Sequence, residues 1–148
     1  MAIICIFGGR DFCLLPDKTY DVEAILNAYK WINVCVKELK QQDITIIDGV
    51  ATGADTVGYR YALSANLNHQ RFPAQWRVNG VYNPKAGFER NSEMLEVGTH
   101  FIGFWDGISG GTNDMRKKAI TAGKRIRVFH YNPNNHLQVT YRPDWATL

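Results

Sequence analysis

Cysteine is scarce in this chain and unpatterned: Cys5, Cys13 and Cys35 are odd in number, with no Cys-x-x-Cys and no Cys/His spacing. That argues against a disulfide framework or a structural zinc site, and it suits buried free thiols in a reducing, cytoplasmic location. The histidines His69, His100, His130 and His136 show no metal-ligand spacing, and no Ser-His-Asp order stands out, so nothing supports a metal or nucleophilic mechanism. No apolar run approaches the ~20 residues that span a bilayer, so no membrane partner is expected. The opening Met1 to Phe7 lacks a basic n-region and a small-residue cleavage site, which marks a first strand rather than a signal peptide. Charge of one sign is not concentrated either. The net charge is only +3, and the densest basic set (Arg116, Lys117, Lys118, Lys124, Arg125, Arg127) reads as a solvated helix face and its dipole partners. A nucleic-acid partner is therefore not expected. Internal repeats, low-complexity tracts and linkers are missing too.

What remains is an ordinary globular composition, 45% hydrophobic and 21% charged over 148 residues, which fits one domain spanning 1–148. Ala2 to Phe7 and Ile44 to Ile47 are continuous apolar runs of the kind buried on both faces of a parallel sheet. Thr19 to Lys40 carries Val22, Ile25, Leu26, Tyr29, Ile32, Val36 and Leu39 at threes and fours, which predicts a long helix with Asp21 and Glu23 at its amino end. A short helix is expected over 54–65, a third strand over 70–72 and a third helix over 86–97. A fourth strand over 100–105, a fourth helix over 111–122 ended by Gly123, and a fifth strand over 125–130 follow. The connection 73–85 has no periodicity and reads as a long functional loop. After Tyr131 comes a tail, 131–148, with a turn at 132–135 and an edge strand over 137–141.

Alternation of this kind predicts an α/β, Rossmann-like three-layer domain: a mostly parallel five-stranded sheet with helices on both faces. Parallel strands gather their carboxyl ends on one edge. Four glycine-bearing turns would then converge there: Gly8 to Phe12, Asp48 to Asp55, Pro73 to Asn91, and Asp106 to Thr112. Glycine permits close backbone approach, and helix amino termini present free N–H groups with partial positive charge, so such a rim suits a phosphate-bearing small molecule.

The same segments, in this order, resemble the SLOG superfamily of Rossmann-like domains, which includes DprA-type and LOG-type proteins. The YspA-type branch is the most similar. The resemblance rests on Gly8-Gly9-Arg10-Asp11-Phe12, on Gly49 to Asp55 (G-x-x-x-G-A-D), and on Pro73-Ala74-Gln75-Trp76. Gly87 to Met94 (G-x-x-R-N-x-x-M) and Gly111-Thr112-Asn113-Asp114-Met115 complete it, and it covers residues 2 to about 130. It implies binding of a nucleotide or a nucleotide-derived signal, ADP-ribose-like or cyclic. LOG-type members cleave the N-glycosidic bond of cytokinin riboside monophosphates with an arginine that matches Arg90 and a glutamate that has no clean match here. The nearest acids are Asp114 and Asp106; if the chain is a hydrolase, Arg90 and Asp114 are the expected pair, with Asp11 and Asp106 the other acids open to the ribose.

Two readings attach to most of the candidate residues. Gly110-Gly111-Thr112 either cradles a phosphate or serves as a tight turn, with Thr112 or Ser109 capping the helix. Arg10 and Asp11 either meet phosphate and ribose or pair with each other. Asp55 either touches ligand or stabilises its own helix, and Arg90, beside Asn91, either faces an anion or pairs with Glu93. Trp76 and Trp105 either stack on a base or simply pack. Gly8, Gly9, Gly49, Gly53 and Asp106 complete the expected ligand-binding set. No cofactor and no metal are expected. The expected function is ligand binding by a stand-alone sensor or sequestering protein that forms a homo-oligomer, with no effector domain. The alternative is a phosphoribohydrolase.

Overall fold

The computed structural model describes residues 1–140. It contains a six-stranded sheet in the order β3-β2-β1-β6-β7-β8 and a separate two-stranded hairpin, β4-β5. The strands are β1 Ala2–Gly8, β2 Ile44–Asp48, β3 Asn68–Arg71, β4 Arg77–Val78, β5 Val81–Tyr82, β6 His100–Trp105, β7 Arg125–Asn132 and β8 Asn135–Thr140. The helices are α1 Val22–Glu38, α2 Ala54–Ser64, α3 Ala86–Val97 and α4 Gly110–Thr121. Five strands of the main sheet are parallel, and β8 returns antiparallel against β7 through a bulge at Tyr131/Asn132. The predicted α/β class is present, and β1 and β6 are neighbours. Tyr141 and the rest of the expected tail lie outside the described residues.

Alternation along β1 divides the core into two layers. Ala2, Ile4 and Ile6 pack with Ala24, Ala28 and Ile32 of α1 and Val57 and Ala62 of α2. Cys5 and Phe7 point the other way, toward Met94 of α3 and Met115 and Ala119 of α4. The strand buries side chains on both faces, which is why it reads as one unbroken apolar run. Helix α2 lies close on the sheet because Gly58 has no side chain: a Cβ there would come within 2.7 Å of Ile6.

Helix α1 begins three residues after the predicted Thr19. Asp21 is its N-cap and accepts hydrogen bonds from the N–H groups of Glu23 and Ala24 at 3.0 and 3.4 Å. Thr19 is instead held in a turn by Asp17, so the helix starts where a carboxylate satisfies its orphan donors. The expected loop 73–85 contains a hairpin. Asn79 and Gly80 both have positive φ, 52° and 79°, the backbone that joins two short antiparallel strands. All three cysteines are buried and free, and burial raises each thiol above its ordinary pKa, Cys13 to about 12. Among the described residues no helix is long and apolar enough to cross a membrane.

Phe12, four residues past the end of β1, is fully buried in a column of rings: it stacks on Phe104 at 4.6 Å, and Phe104 stacks on Phe129 at 5.3 Å. That column pins the β1–α1 loop to β6 and β7. Phe12→Ala is expected to lower the unfolding free energy by about 3–5 kcal/mol in urea titration, and Phe12→Leu by under about 1.5. Equal, small losses in both variants would show that the loop is not anchored through this ring.

Candidate functional site

Residues from all four glycine turns line one cavity of about 640 Å³ at the carboxyl ends of β1 and β6. This is the point where the strand order reverses, and it is where ligands enter open parallel sheets. The backbone of Gly9 organises it. Its N–H donates to the Phe104 carbonyl at 2.9 Å, and its own carbonyl accepts from Phe12 and Ala54 at 3.2 and 3.1 Å. The approach is close enough that a Cβ on Gly8 would overlap the Phe104 carbonyl oxygen. One on Gly53, where φ is +77°, would overlap that of Gly9. Glycine at these positions is what lets β1, β6 and the start of α2 meet.

Gly53 thus has a packing role and does not line the cavity. Gly49 lies behind it, its carbonyl accepting from Arg90. Trp105 is also outside: its indole N–H donates to the Ser109 carbonyl at 3.1 Å while Arg116 covers the ring. The β6–α4 loop folds back over this tryptophan, so of the two expected stacking rings only Trp76 reaches the site. The hairpin supplies Trp76 with a partner absent from the expected set, Tyr82, whose ring lies 24° from parallel at 6.3 Å. Gly87 sits under Trp76, where a Cβ would come 3.3 Å from the indole.

The start of α4 is open. The Ser109 hydroxyl donates to Asp106 rather than capping the helix, and the helix has no side-chain cap. Thr112 is 5% exposed and lines the cavity, and its hydroxyl has no partner among the described residues. Gly110 and Gly111 line the same wall. A Cβ on either would meet nothing within 4 Å, and neither has a positive φ. The capping alternative for this turn is therefore not what the structure contains.

Charged groups complete the walls. The Arg10 guanidinium is exposed and has no partner among the described residues, so the alternative of an Arg10–Asp11 pair is not formed. Asp11 accepts the Tyr131 hydroxyl proton at 2.7 Å instead. Arg90 donates to Asn91 Oδ1 at 3.0 Å and to the Gly49 carbonyl, and it forms no salt bridge with Glu93. Asp106 accepts from Ile108 N–H, Ser109 N–H and the Ser109 hydroxyl. Partial burial acts to raise its pKa, but these three bonds outweigh it and hold the carboxyl below its ordinary range. Asp114 lies off the cavity, salt-bridged to Lys118 at 2.9 Å and accepting from Asn91 at 3.2 Å. Among the described residues no three His, Cys, Asp or Glu side chains gather as metal ligands would.

Asp55, 5% exposed, lines the cavity and accepts the N–H groups of Gly49 and Ala51 at 3.0 and 3.3 Å. It braces the β2–α2 loop as well as its own helix. Burial is the main cause that raises its pKa to about 7; the charge of Asp48 adds to it, and Arg90 and the two N–H bonds oppose it. No family model, no curated protein and no solved structure matches this chain.

A carboxyl whose pKa is raised on folding contributes stability that is complete below its unfolded pKa, ~3.9, and is lost as pH rises through the folded value. Relative to Asp55→Asn, the native protein should therefore lose stability between about pH 5 and 7, by up to about 1.4 kcal/mol per pH unit, and level off above that. Urea unfolding of both proteins at four pH values between 5 and 8 measures this. A difference that does not change with pH would place Asp55 in the ordinary carboxylate range.

Proposed function

We propose that this chain binds a phosphate-bearing nucleotide or nucleotide-derived small molecule in the large cavity, as a SLOG-type domain of the YspA-type branch, and releases it intact. The observation that carries the reading is the pair Gly110-Gly111. Glycine in place of alanine costs a helix roughly 0.5–1 kcal/mol, less in its first turn. Here neither packing nor backbone conformation calls for it, because a Cβ at either position would meet open space on the cavity wall. Room kept beside free helix N–H groups suits an anion's close approach. Supporting groups surround that spot. Arg90 and Arg10 bring positive charge, the Thr112 hydroxyl brings an unused donor, and the Trp76–Tyr82 pair offers an apolar face for a base. One oxygen of Asp11 takes the Tyr131 hydroxyl, leaving the other for a ribose diol.

Binding without cleavage is favoured by where the acids stand. Breaking an N-glycosidic bond needs a carboxylate held against the developing positive charge, and misplacement by even ~1 Å can cost about a hundred-fold in rate. Asp114, the residue nearest in sequence to the LOG-type glutamate, is tied to Lys118 and Asn91 away from the cavity. Asp106 does line it, but with its carboxylate committed to its own loop.

Two measurements test this reading. Gly111→Ala is expected to leave the free protein as stable as before or more stable by up to about 1 kcal/mol, while weakening nucleotide binding at least ten-fold. Arg10→Ala should cost about 1.5–3 kcal/mol of binding, roughly ten-fold to a hundred-fold, with stability within about 0.5 kcal/mol of the parent. Calorimetry on both variants decides the site, and unchanged affinity in both would move it elsewhere. The second measurement concerns chemistry. Adenosine monophosphate, cytokinin riboside monophosphates and cyclic ADP-ribose isomers incubated with the protein should be recovered unaltered by chromatography. A free base that disappears in Asp114→Asn would make it a hydrolase.

A further inference from the structure

A second cavity of about 420 Å³ opens beside the first, behind the β2–α2 loop and the segment leading into the hairpin. The two share a wall made by Arg10, Ala51, Trp76 and Arg90. Their charge is not alike. The large cavity carries three carboxylates, Asp11, Asp55 and Asp106, beside the two arginines. The smaller one has the same two arginines and no acid, its other walls being Gly49, Val50, Thr52, Pro73 and Ala74. Neither guanidinium is neutralised by a salt bridge among the described residues. A guanidinium presents five N–H donors in a planar fork, so one arginine between two chambers has donors to offer on both sides. Arg90 spends donors on Asn91 and on the Gly49 carbonyl, and Arg10 spends none.

We infer that the smaller cavity is the seat of a second phosphate, so that the ligand is a nucleoside diphosphate or a diphosphate-linked molecule rather than a monophosphate. This inference rests on the nucleotide reading of the large cavity. One phosphate sits against the start of α4 on one side of the arginine wall, and the next passes between Arg10 and Arg90 into the chamber that holds positive charge alone. The Asp11 and Asp106 carboxylates of the large cavity disfavour a second anion there, and the smaller cavity lacks that penalty. Thr52 lines it too: its backbone N–H is unpartnered among the described residues, while its hydroxyl proton is spent on the Arg10 carbonyl at 2.9 Å. Apolar Val50, Pro73 and Ala74 leave space for whatever the diphosphate carries beyond it.

Calorimetry with two matched pairs, adenosine mono- and diphosphate and guanosine mono- and diphosphate, without divalent ions, tests it. The diphosphate of at least one base should bind ten-fold tighter or more than its monophosphate, the gain expected from one further charge-assisted contact. Ala74→Glu and Val50→Glu each place a carboxylate at a residue that lines the smaller cavity alone and should cut that advantage below three-fold. Circular dichroism checks their folding, and the comparison in the parent protein needs neither variant. A monophosphate that binds as well as its diphosphate would overturn this inference and leave the nucleotide reading standing. So would a diphosphate advantage that persists in both folded variants. Binding of none of the four would overturn both.

Discussion

The peptide of Gly9 holds three chain segments at one point. Its N–H reaches β6 through Phe104, and its carbonyl receives both Phe12 of its own loop and Ala54 at the start of α2. Such a junction forms only where backbones approach without side chains between them, which is why Gly8 and Gly53 flank it in space. The parallel pairing of β1 with β6 brings two carboxyl ends side by side with their helices departing to opposite faces. A crevice follows from that divergence, and the Gly9 junction sets its floor. The ring column of Phe12, Phe104 and Phe129 then converts a hydrogen-bonded contact into a rigid one, because apolar burial stabilises the loop from beneath while its polar groups stay on top.

Charge is distributed around this junction unevenly. Asp48 is buried at the end of β2 and fully engaged: Arg71 bonds both its oxygens at 3.0–3.2 Å, Val50 N–H is a second partner, and Tyr59 lies under the guanidinium at 3.9 Å. Asp55, a few residues on, has only two backbone N–H groups and feels Asp48 as a like charge. The end of β2 and the start of α2 therefore hold one committed carboxylate and one that gives up its charge near neutrality. Arg90 faces this pair without a salt bridge among the described residues, so its positive charge stays available to the cavity. A buried pair missing a partner is costly to keep in a stable fold. Here that cost falls on the rim of a cavity.

Much of this was legible from residue order. Unbroken apolar runs marked β1 and β2, and threes-and-fours spacing marked α1, because burial on two faces and on one stripe leave different periods. The glycine turns pointed to the rim, and Arg10, Asp11, Arg90, Asn91 and Thr112 do meet there. What was not legible depended on contacts distant in sequence. Trp105 reads like Trp76, both being tryptophans near a strand end, and only the backfolding of Ser109 onto its indole separates them. The hairpin is a different case. Asn79-Gly80 between Val78 and Val81 is a local turn signal, masked by the prolines around it, and it would have placed Tyr82 beside Trp76. Arg10 and Asp11, adjacent and opposite in charge, leave a local ion pair open as an alternative, yet a tyrosine 120 residues away takes the carboxylate.

That tyrosine changes how the carboxyl-terminal strands are to be understood. Tyr131 follows His130, the last residue paired in parallel, and β8 turns back beside it to bring His136 under the same loop. There His136 Nδ1 accepts the Cys13 N–H at 2.8 Å and its ring stacks near Phe12 at 5.9 Å. Because Nδ1 accepts, the proton of this imidazole belongs on Nε2, where the Pro133 carbonyl lies at 3.2 Å. The hairpin β7–β8 thus braces the β1–α1 loop from below at two places, and a Cβ on Gly9 would overlap the Tyr131 hydroxyl. Residues of the carboxyl-terminal hairpin determine where Asp11 stands. A loop that must present one arginine outward and one aspartate inward needs support that its own short length cannot supply. The fold provides it by adding an antiparallel strand to a parallel sheet at the edge nearest that loop.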